Sequence, residues 1–389
     1  MKALVLGGCG IMGASVARDL IKGEEVTKVT LADKRISMDN VHDSVQKSNK
    51  VSTEILDVTD HRALIEAISR HAVVINCVGP FFRYGINTIK AAIEAGVNYV
   101  DICDDYDPVR EAFTLDEAAK KAGICVCVGF GAGPGITNMV AKYAADKLDE
   151  VEEIREYWVV GIGDPSGPAA MAHSIHMFEG AVPQFIDGKW VDVPGGSGAE
   201  EVEFLPPVGK CEVYYVGHPE PITLPRYIKK GLRTMTVKGG WLPPLLNRVI
   251  ADLLESGFTT TENLRVGESS ITLGELFTTI ARSIIETPDF KNNVEKYSLS
   301  PANLIVKGKE GSNEVTYTYR FTGQSAPGLA IASSTLAQMM YRGEVKAKGV
   351  VAPEGIVDPE VFFTMLEKRG FWLDEEKTVR RAVTTFQRA

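Results

Sequence analysis

Lys2-Ala3-Leu4-Val5-Leu6-Gly7-Gly8-Cys9-Gly10-Ile11-Met12-Gly13 opens the chain, and its reading decides the fold. An apolar run passes directly into a turn with Gly8-x-Gly10-x-x-Gly13 spacing, and Ala14, Val16, Ala17, Leu20 and Ile21 continue at helical intervals. In a dinucleotide-binding strand–turn–helix the first glycine permits the tight turn and the second lets the backbone approach a pyrophosphate. The third lets the helix pack on the strand, and the free N–H groups of the helix N-terminus face the anion. A second apolar run, from Val26 to Ala32, ends at Asp33, where a carboxylate can accept hydrogen bonds from an adenosine ribose. Strand, turn, helix, strand and acid in that order predict a nicotinamide dinucleotide site at the N-terminus.

Working outward, apolar runs at 2–7, 26–32, 51–56, 72–78, 97–103 and 124–129 alternate with helical stretches near 11–22, 38–48, 60–70, 86–95 and 109–122. Runs that are continuously apolar belong to parallel strands buried on both faces. The expected class is therefore α/β, with a six-stranded, doubly wound parallel (Rossmann) sheet over residues 1–135. After Gly135 the character changes. Long strands are expected over 151–163 and 311–323, amphipathic helices near 244–256 and 273–286, and Pro/Gly-rich stretches between them. This predicts an α+β domain over 136–324 for substrate binding and dimerisation. A small-residue helix over 326–342 and polar helices near 359–369 and 374–387 make 325–389 a helical segment folding back on the first domain.

Composition narrows the partners. The chain has 389 residues, 44% of them hydrophobic and 24% charged, which suits two globular domains. A net charge of −9 argues against nucleic acid, whose phosphates would want a basic stripe. No run reaches the ~18 apolar residues of a membrane span, and a first strand at residue 2 leaves no room for a cleavable leader. The six cysteines lack metal spacing and mostly lie in apolar runs, as small buried hydrophobes do. A cytoplasmic protein with reduced thiols and no metal site is expected.

Several groups can carry chemistry. Asp33 would repel the 2′-phosphate of NADP, which favours NAD, although Lys34 and Arg35 can offset that repulsion. Asp57 closes the third strand near the adenine end, or serves a helix N-terminus. Val78-Gly79-Pro80-Phe81 follows the fourth strand and can wall the nicotinamide. The fifth strand ends Asp101-Ile102-Cys103-Asp104-Asp105-Tyr106-Asp107, where Asp104 or Asp105 can bind a cationic amine or take its proton. Gly131-Ala132-Gly133-Pro134-Gly135 is a second glycine turn opening a helix. The cofactor set is thus Gly8, Gly10, Ile11, Met12, Gly13, Asp33, Lys34, Arg35, Asp57, Val78, Gly79, Pro80, Phe81, Asp101, Gly131 and Gly133. In the second domain, Gly217-His218-Pro219-Glu220-Pro221-Ile222-Thr223-Leu224-Pro225-Arg226 reads as a proline-stiffened loop. His218 or Glu220 can move protons there, and Arg226 can clamp a carboxylate. His173 and His176 have the spacing of two metal ligands on one helix face, but no acidic motif accompanies them, so polar contacts are expected.

These motifs, with Gly96-Val97-Asn98-Tyr99-Val100-Asp101 and the closing Lys348-Gly349-Val350-Val351-Ala352-Pro353-Glu354-Gly355, resemble the saccharopine dehydrogenase family, most of all its L-lysine dehydrogenases. The resemblance implies reversible, NAD(P)-linked oxidation of a C–N bond in an amino acid or amine through an imine. It also implies a homodimer formed through the second-domain sheet. Asp104, His218, Glu220 and Arg226 are the catalytic candidates. Two other readings are a transferase that uses bound NAD catalytically, as homospermidine synthase does, and a dinucleotide-binding regulator without turnover. Segment 164–216 matches no family member and should line the substrate pocket.

Overall fold

The computed structural model describes residues 1–259 and 263–381. The strands are β1 (Lys2–Leu6), β2 (Lys28–Asp33), β3 (Val51–Ile55), β4 (Val73–Asn76), β5 (Asn98–Asp101), β6 (Cys125–Cys127), β7 (Glu150–Gly161), β8 (Ala181–Ile186) and β9 (Lys189–Pro194). There follow β10 (Glu200–Phe204), β11 (Gly209–Tyr215), β12 (Thr234–Leu242), β13 (Asn263–Val266), β14 (Ser269–Thr272), β15 (Ala302–Glu310), β16 (Asn313–Phe321), β17 (Gly349–Val351) and β18 (Asp374–Arg380).

The first sheet runs β17-β6-β5-β4-β1-β2-β3 with every pairing parallel. Its central strands are buried along almost their whole length, as continuous apolar runs require when helices cover both faces. The six expected strands all form, and the tail adds a seventh. Val350 N donates to Asp116 Oδ1 at 2.9 Å where β17 enters beside β6. Among the helices, Ile11–Leu20, His61–Ser69 and Phe81–Ala95 match expectation, the last starting earlier than its apolar spacing suggested. Two expectations are corrected. Residues 38–48 hold only the turn Asp43–Gln46, and 109–122 is broken into Tyr106–Ala112 and Asp116–Lys121 by the 3-10 turn Phe113–Leu115.

The second sheet runs β10-β11-β12-β7-β15-β16-β18, with β8 pairing to β12 and to β9. It is antiparallel except for the β12–β7 pair. Helices Leu245–Glu255 and Leu273–Ile285 form where the amphipathic pattern put them.

The C-terminal segment divides between the two sheets, which corrects its reading as a purely helical return to the first domain. Helix Ser325–Tyr341 lies on helix Ile11–Leu20, where Ser334 Oγ bonds Asp19 Oδ2. Residues 374–380, expected as polar helix, form β18 against β16. Three acids, Asp374, Glu375 and Glu376, precede Lys377, and each charge meets a partner. Arg320 reaches Asp374 and Glu376 at 3.2 and 2.8 Å, Lys147 reaches Glu375 at 2.6 Å, and Lys377 reaches Glu310 at 2.7 Å. Cross-strand pairing therefore outweighs helical propensity here. The rest of that expected helix, 382–387, lies outside the described residues. No helix among the described residues is long and apolar enough to cross a membrane.

Candidate active site

Strand order reverses on either side of β1 and β4, so a crevice opens beyond their carboxyl ends. The glycine turn sits there. Gly7, not Gly8, takes the left-handed backbone, with φ of 70°. A Cβ at Gly13 would lie 2.2 Å from Gly7 O, so only glycine lets this helix start so close to the strand. A Cβ at Gly10 would meet only Gly7 O, at 3.3 Å, and otherwise points into open space. Ile11 and Met12 begin the helix behind it, exposing free N–H groups. Asp33 Oδ2 stands 3.3 Å from Cys9 N at the end of β2, beside that turn. An open approach at Gly10, a helix N-terminus and a carboxylate fit a dinucleotide's pyrophosphate and ribose.

Lys34 and Asp57 are joined in an exposed ion pair of 2.9 Å, which holds the Asp57 carboxyl well below the usual range. Lys34 is thereby engaged by Asp57, and Arg35 is exposed. Val78 N is held by Asn76 Oδ1 at 3.0 Å. Asp101, expected to touch the cofactor, is corrected. It is 1% exposed and accepts from Gly129 N (2.7 Å), Cys103 N (3.1 Å) and Tyr99 Oη (3.0 Å), tying the ends of β5 and β6 together. Burial nevertheless pushes its pKa up to about 6.

A cavity of about 210 Å³ lies between the domains. Met12, Gly79, Pro80, Phe81, Asp104, Gly131 and Gly133 wall it from the first domain, and Trp158, His173, His218 and Trp241 from the second. No Lys or Arg side chain among the described residues lines it. The indole nitrogens of Trp158 and Trp241 and Asp164 Oδ1 are buried without hydrogen-bond partners.

Two histidine–carboxylate pairs face this cavity. His173 Nδ1 is 2.7 Å from Asp105 Oδ1 and 3.6 Å from Asp104 Oδ1. Burial opposes charge on His173, but Asp104 and Asp105 outweigh it and push the imidazole up to about 9. Asp105 also accepts from Phe82 N at 2.9 Å, locking it to the helix N-terminus. Burial raises Asp105 as well, but the His173 charge and bond prevail and hold it below the usual carboxyl range. Asp104 remains partly exposed in the cavity and is raised by its buried setting despite His173. The second pair is His218 Nδ1 and Glu220 Oε2 at 2.6 Å, with Thr137 Oγ1 3.3 Å from Glu220 Oε1. The two imidazoles meet edge to face, 5.6 Å between centroids. His176 instead bonds Asp107 at 3.1 Å, a polar contact.

The structure therefore brings Asp104, His218 and Glu220 together but not Arg226. The expected stiff loop is a helix, Glu220–Tyr227, with Pro219 and Pro221 at its start. Its last turn points Arg226 outward, exposed and 4.2 Å over the Phe113 ring. That corrects its assignment as a carboxylate clamp. Sequence reasoning missed His173 as a cavity residue, although its place in the unmatched segment 164–216 was the available signal. It also missed Glu156, the acid interrupting the apolar end of β7.

Comparisons with known proteins fit this geometry. Residues 3–127 match the family model for the saccharopine dehydrogenase NADP binding domain, which bears out the resemblance read from the sequence at the level of that family. A carboxynorspermidine synthase of Vibrio alginolyticus is 29% identical over 58% of this chain and 60% of its own length. The chain thus matches about three fifths of that relative and of its Vibrio cholerae counterpart. A carboxyaminopropylagmatine dehydrogenase of Synechocystis is 23% identical over 95% of this chain and 96% of its own. Among solved structures, apo saccharopine dehydrogenase (L-Glu forming) from Saccharomyces cerevisiae superposes with a TM-score of 0.65, at 17% identity, over 97% of this chain and all of that one. At that identity the match shows the fold.

Proposed function

We propose, for a chain whose first domain belongs to the saccharopine dehydrogenase family, that it is an NAD-linked dehydrogenase acting on the C–N bond of an amine or amino acid. The observation that carries this reading is the pair of histidine–carboxylate couples, His173–Asp105 and His218–Glu220, facing one cavity at the mouth of a dinucleotide fold. Hydride acceptors need a donor carbon whose nitrogen is unprotonated, and two proton-handling pairs beside the site suit that demand. The names of the Vibrio and Synechocystis relatives, one a synthase and one a dehydrogenase of amine-containing compounds, support the same class.

The nicotinamide, when bound, supplies hydride chemistry. The chain's own residues do the rest. Pro80 and Phe81 wall the crevice. Asp104, partly exposed in the cavity, is the carboxylate we assign to a substrate ammonium, with Asp164 the other carboxylate in the lining. With Nδ1–H donated to Glu220, His218 keeps Nε2 as the nitrogen that can take the ammonium proton. Loss of that proton frees the lone pair, which forms the C=N bond as hydride departs. Water then adds to the imine carbon and loses one proton to solvent. His218 returns its proton to the nitrogen, and the C–N bond breaks, the hydroxyl proton leaving with the amine as the carbonyl forms. Protonated His173 and the two indole N–H groups are the donors available to a substrate acceptor such as a carboxylate. NAD is favoured because Asp33 repels a 2′-phosphate while Lys34 is engaged by Asp57.

The test is a panel of amines and amino acids with purified protein and NAD, read by NADH absorbance. His218→Asn should lower turnover by at least ~100-fold, the usual range for losing a general base, with dinucleotide affinity unchanged. An unaltered rate in that variant would remove His218 from the mechanism.

A further inference from the structure

Glu156 is a fully buried carboxyl beside the cavity, and the mechanism above gives it no task. It lies mid-strand in β7, opposite Val237 of β12 and Leu304 of β15. A Cβ added at Gly133, in the cavity wall, would stand 3.8 Å from its Oε1. Neither of its oxygens has a hydrogen-bond partner as an anion. Thr137 lies between the two acids: its Oγ1 is 3.3 Å from Glu220 Oε1, and the same Gly133 Cβ would stand 3.7 Å from it, so Glu220 and Thr137 are the groups that act on the Glu156 carboxyl. Glu220 is itself fully buried and already accepts from His218 and Thr137.

Two ionised carboxylates are both acceptors and cannot bond each other, and two adjacent buried anions repel strongly. One proton on Glu156 resolves both difficulties, because the acid donates to Glu220 and the pair then carries a single charge. We propose that Glu156 is held as a neutral carboxylic acid that donates to the Glu220 carboxylate, and that this bond sets the pH at which His218 takes up a proton. Burial first, and then Glu220, push Glu156 well above the usual carboxyl range, which agrees. The other ionisable groups around the pair are Asp104 and His173, facing His218 from the cavity, and Glu354, facing Glu220 from the turn Pro353–Gly355. Glu156 acts through Glu220 and is a positioning residue. The catalytic consequence rests on the reading of His218 above, whereas the ionisation belongs to the folded protein alone.

The test is an NMR titration of the His218 ring in the full chain without substrate, with His218→Asn used to assign the signal. Glu156→Gln keeps a neutral donor in place and should leave the His218 midpoint unchanged. Glu156→Leu removes the donor, exposes the full Glu220 charge to His218, and should raise the midpoint by about one unit, tenfold in proton affinity. A lowered midpoint in Glu156→Gln means that Glu156 is charged in the native protein. An unmoved midpoint in a folded Glu156→Leu means that no coupling exists. Either result overturns the proposal. The infrared C=O band of a buried carboxylic acid, present in the native protein and lost in Glu156→Gln, gives a second readout if Glu156→Leu does not fold. Its absence from the native protein is equally contradictory. A protein inactive on every amine but titrating as expected would retract the proposed function and leave this inference standing.

Discussion

His218 and Glu220, two residues apart at the start of a helix, meet through a 2.6 Å contact between Nδ1 and Oε2, both side chains almost fully buried. The helix start holds the carboxylate in place, and the carboxylate fixes the imidazole's tautomer. Glu220→Gln can still accept through its amide oxygen but carries no charge to stabilise an imidazolium. We expect it to lower kcat more than it raises KM, and to leave dinucleotide binding intact. Steady-state kinetics together with calorimetry of NAD binding checks this.

Cofactor choice depends on Asp33. NAD should bind more tightly than NADP, and Asp33→Ser should narrow or reverse the gap, each tenfold step corresponding to about 1.4 kcal/mol. Equal native affinities, unchanged by the substitution, would assign the contact to Arg35 instead.

Gly10 and Gly13 should respond oppositely. Gly10→Val projects into open space where a pyrophosphate would approach, so dinucleotide binding is lost while the thermal melt is little changed. Gly13→Ala places a carbon 2.2 Å from Gly7 O and should destabilise the domain even without ligand.

The His173 couple predicts a pH dependence of stability. Its folded pKa, near 9, lies above the unfolded value of about 6.5. Stability from the protonated couple is therefore complete below about 6.5 and is lost as pH rises through about 9. The stability advantage of the native protein over His173→Asn should shrink across that window, measured by denaturant melts at each pH. A difference independent of pH would mean that His173 is uncharged throughout.

Arg226 should be silent in kinetics. Its guanidinium lies on Phe113 at the surface, a contact worth about 0.5–1 kcal/mol. Arg226→Ala should cost stability of that order and leave KM unchanged.

The first domain was legible because its signal is local. Gly8-x-Gly10-x-x-Gly13 follows a buried strand, and most of the next strands are short, largely apolar runs separated by helical stretches, β3 (Val-Ser-Thr-Glu-Ile) being the polar exception at the sheet edge. The seventh strand was not, since Gly349–Val351 is three residues long and gains its identity from β6 and Asp116, more than 200 positions away. Asp374–Arg380 misread as helix for a similar reason, because its partners Arg320, Lys147 and Glu310 are distant in sequence. In the site, Asp104, His218 and Glu220 were found because dense polar clusters at strand ends are visible locally. His173 and Glu156 were not, because their importance comes from what packs against them. Arg226 failed because its helix turned a neighbour in sequence away from the cavity.

The most direct test of the account is NADH formation from NAD with an amine or amino-acid panel, comparing the native protein with His218→Asn and Asp104→Asn. The account predicts that at least one amine supports NADH formation, and that both substitutions reduce it strongly while NAD still binds. NADH formation from alcohols but no amine, or from amines at undiminished rates in both variants, would contradict it.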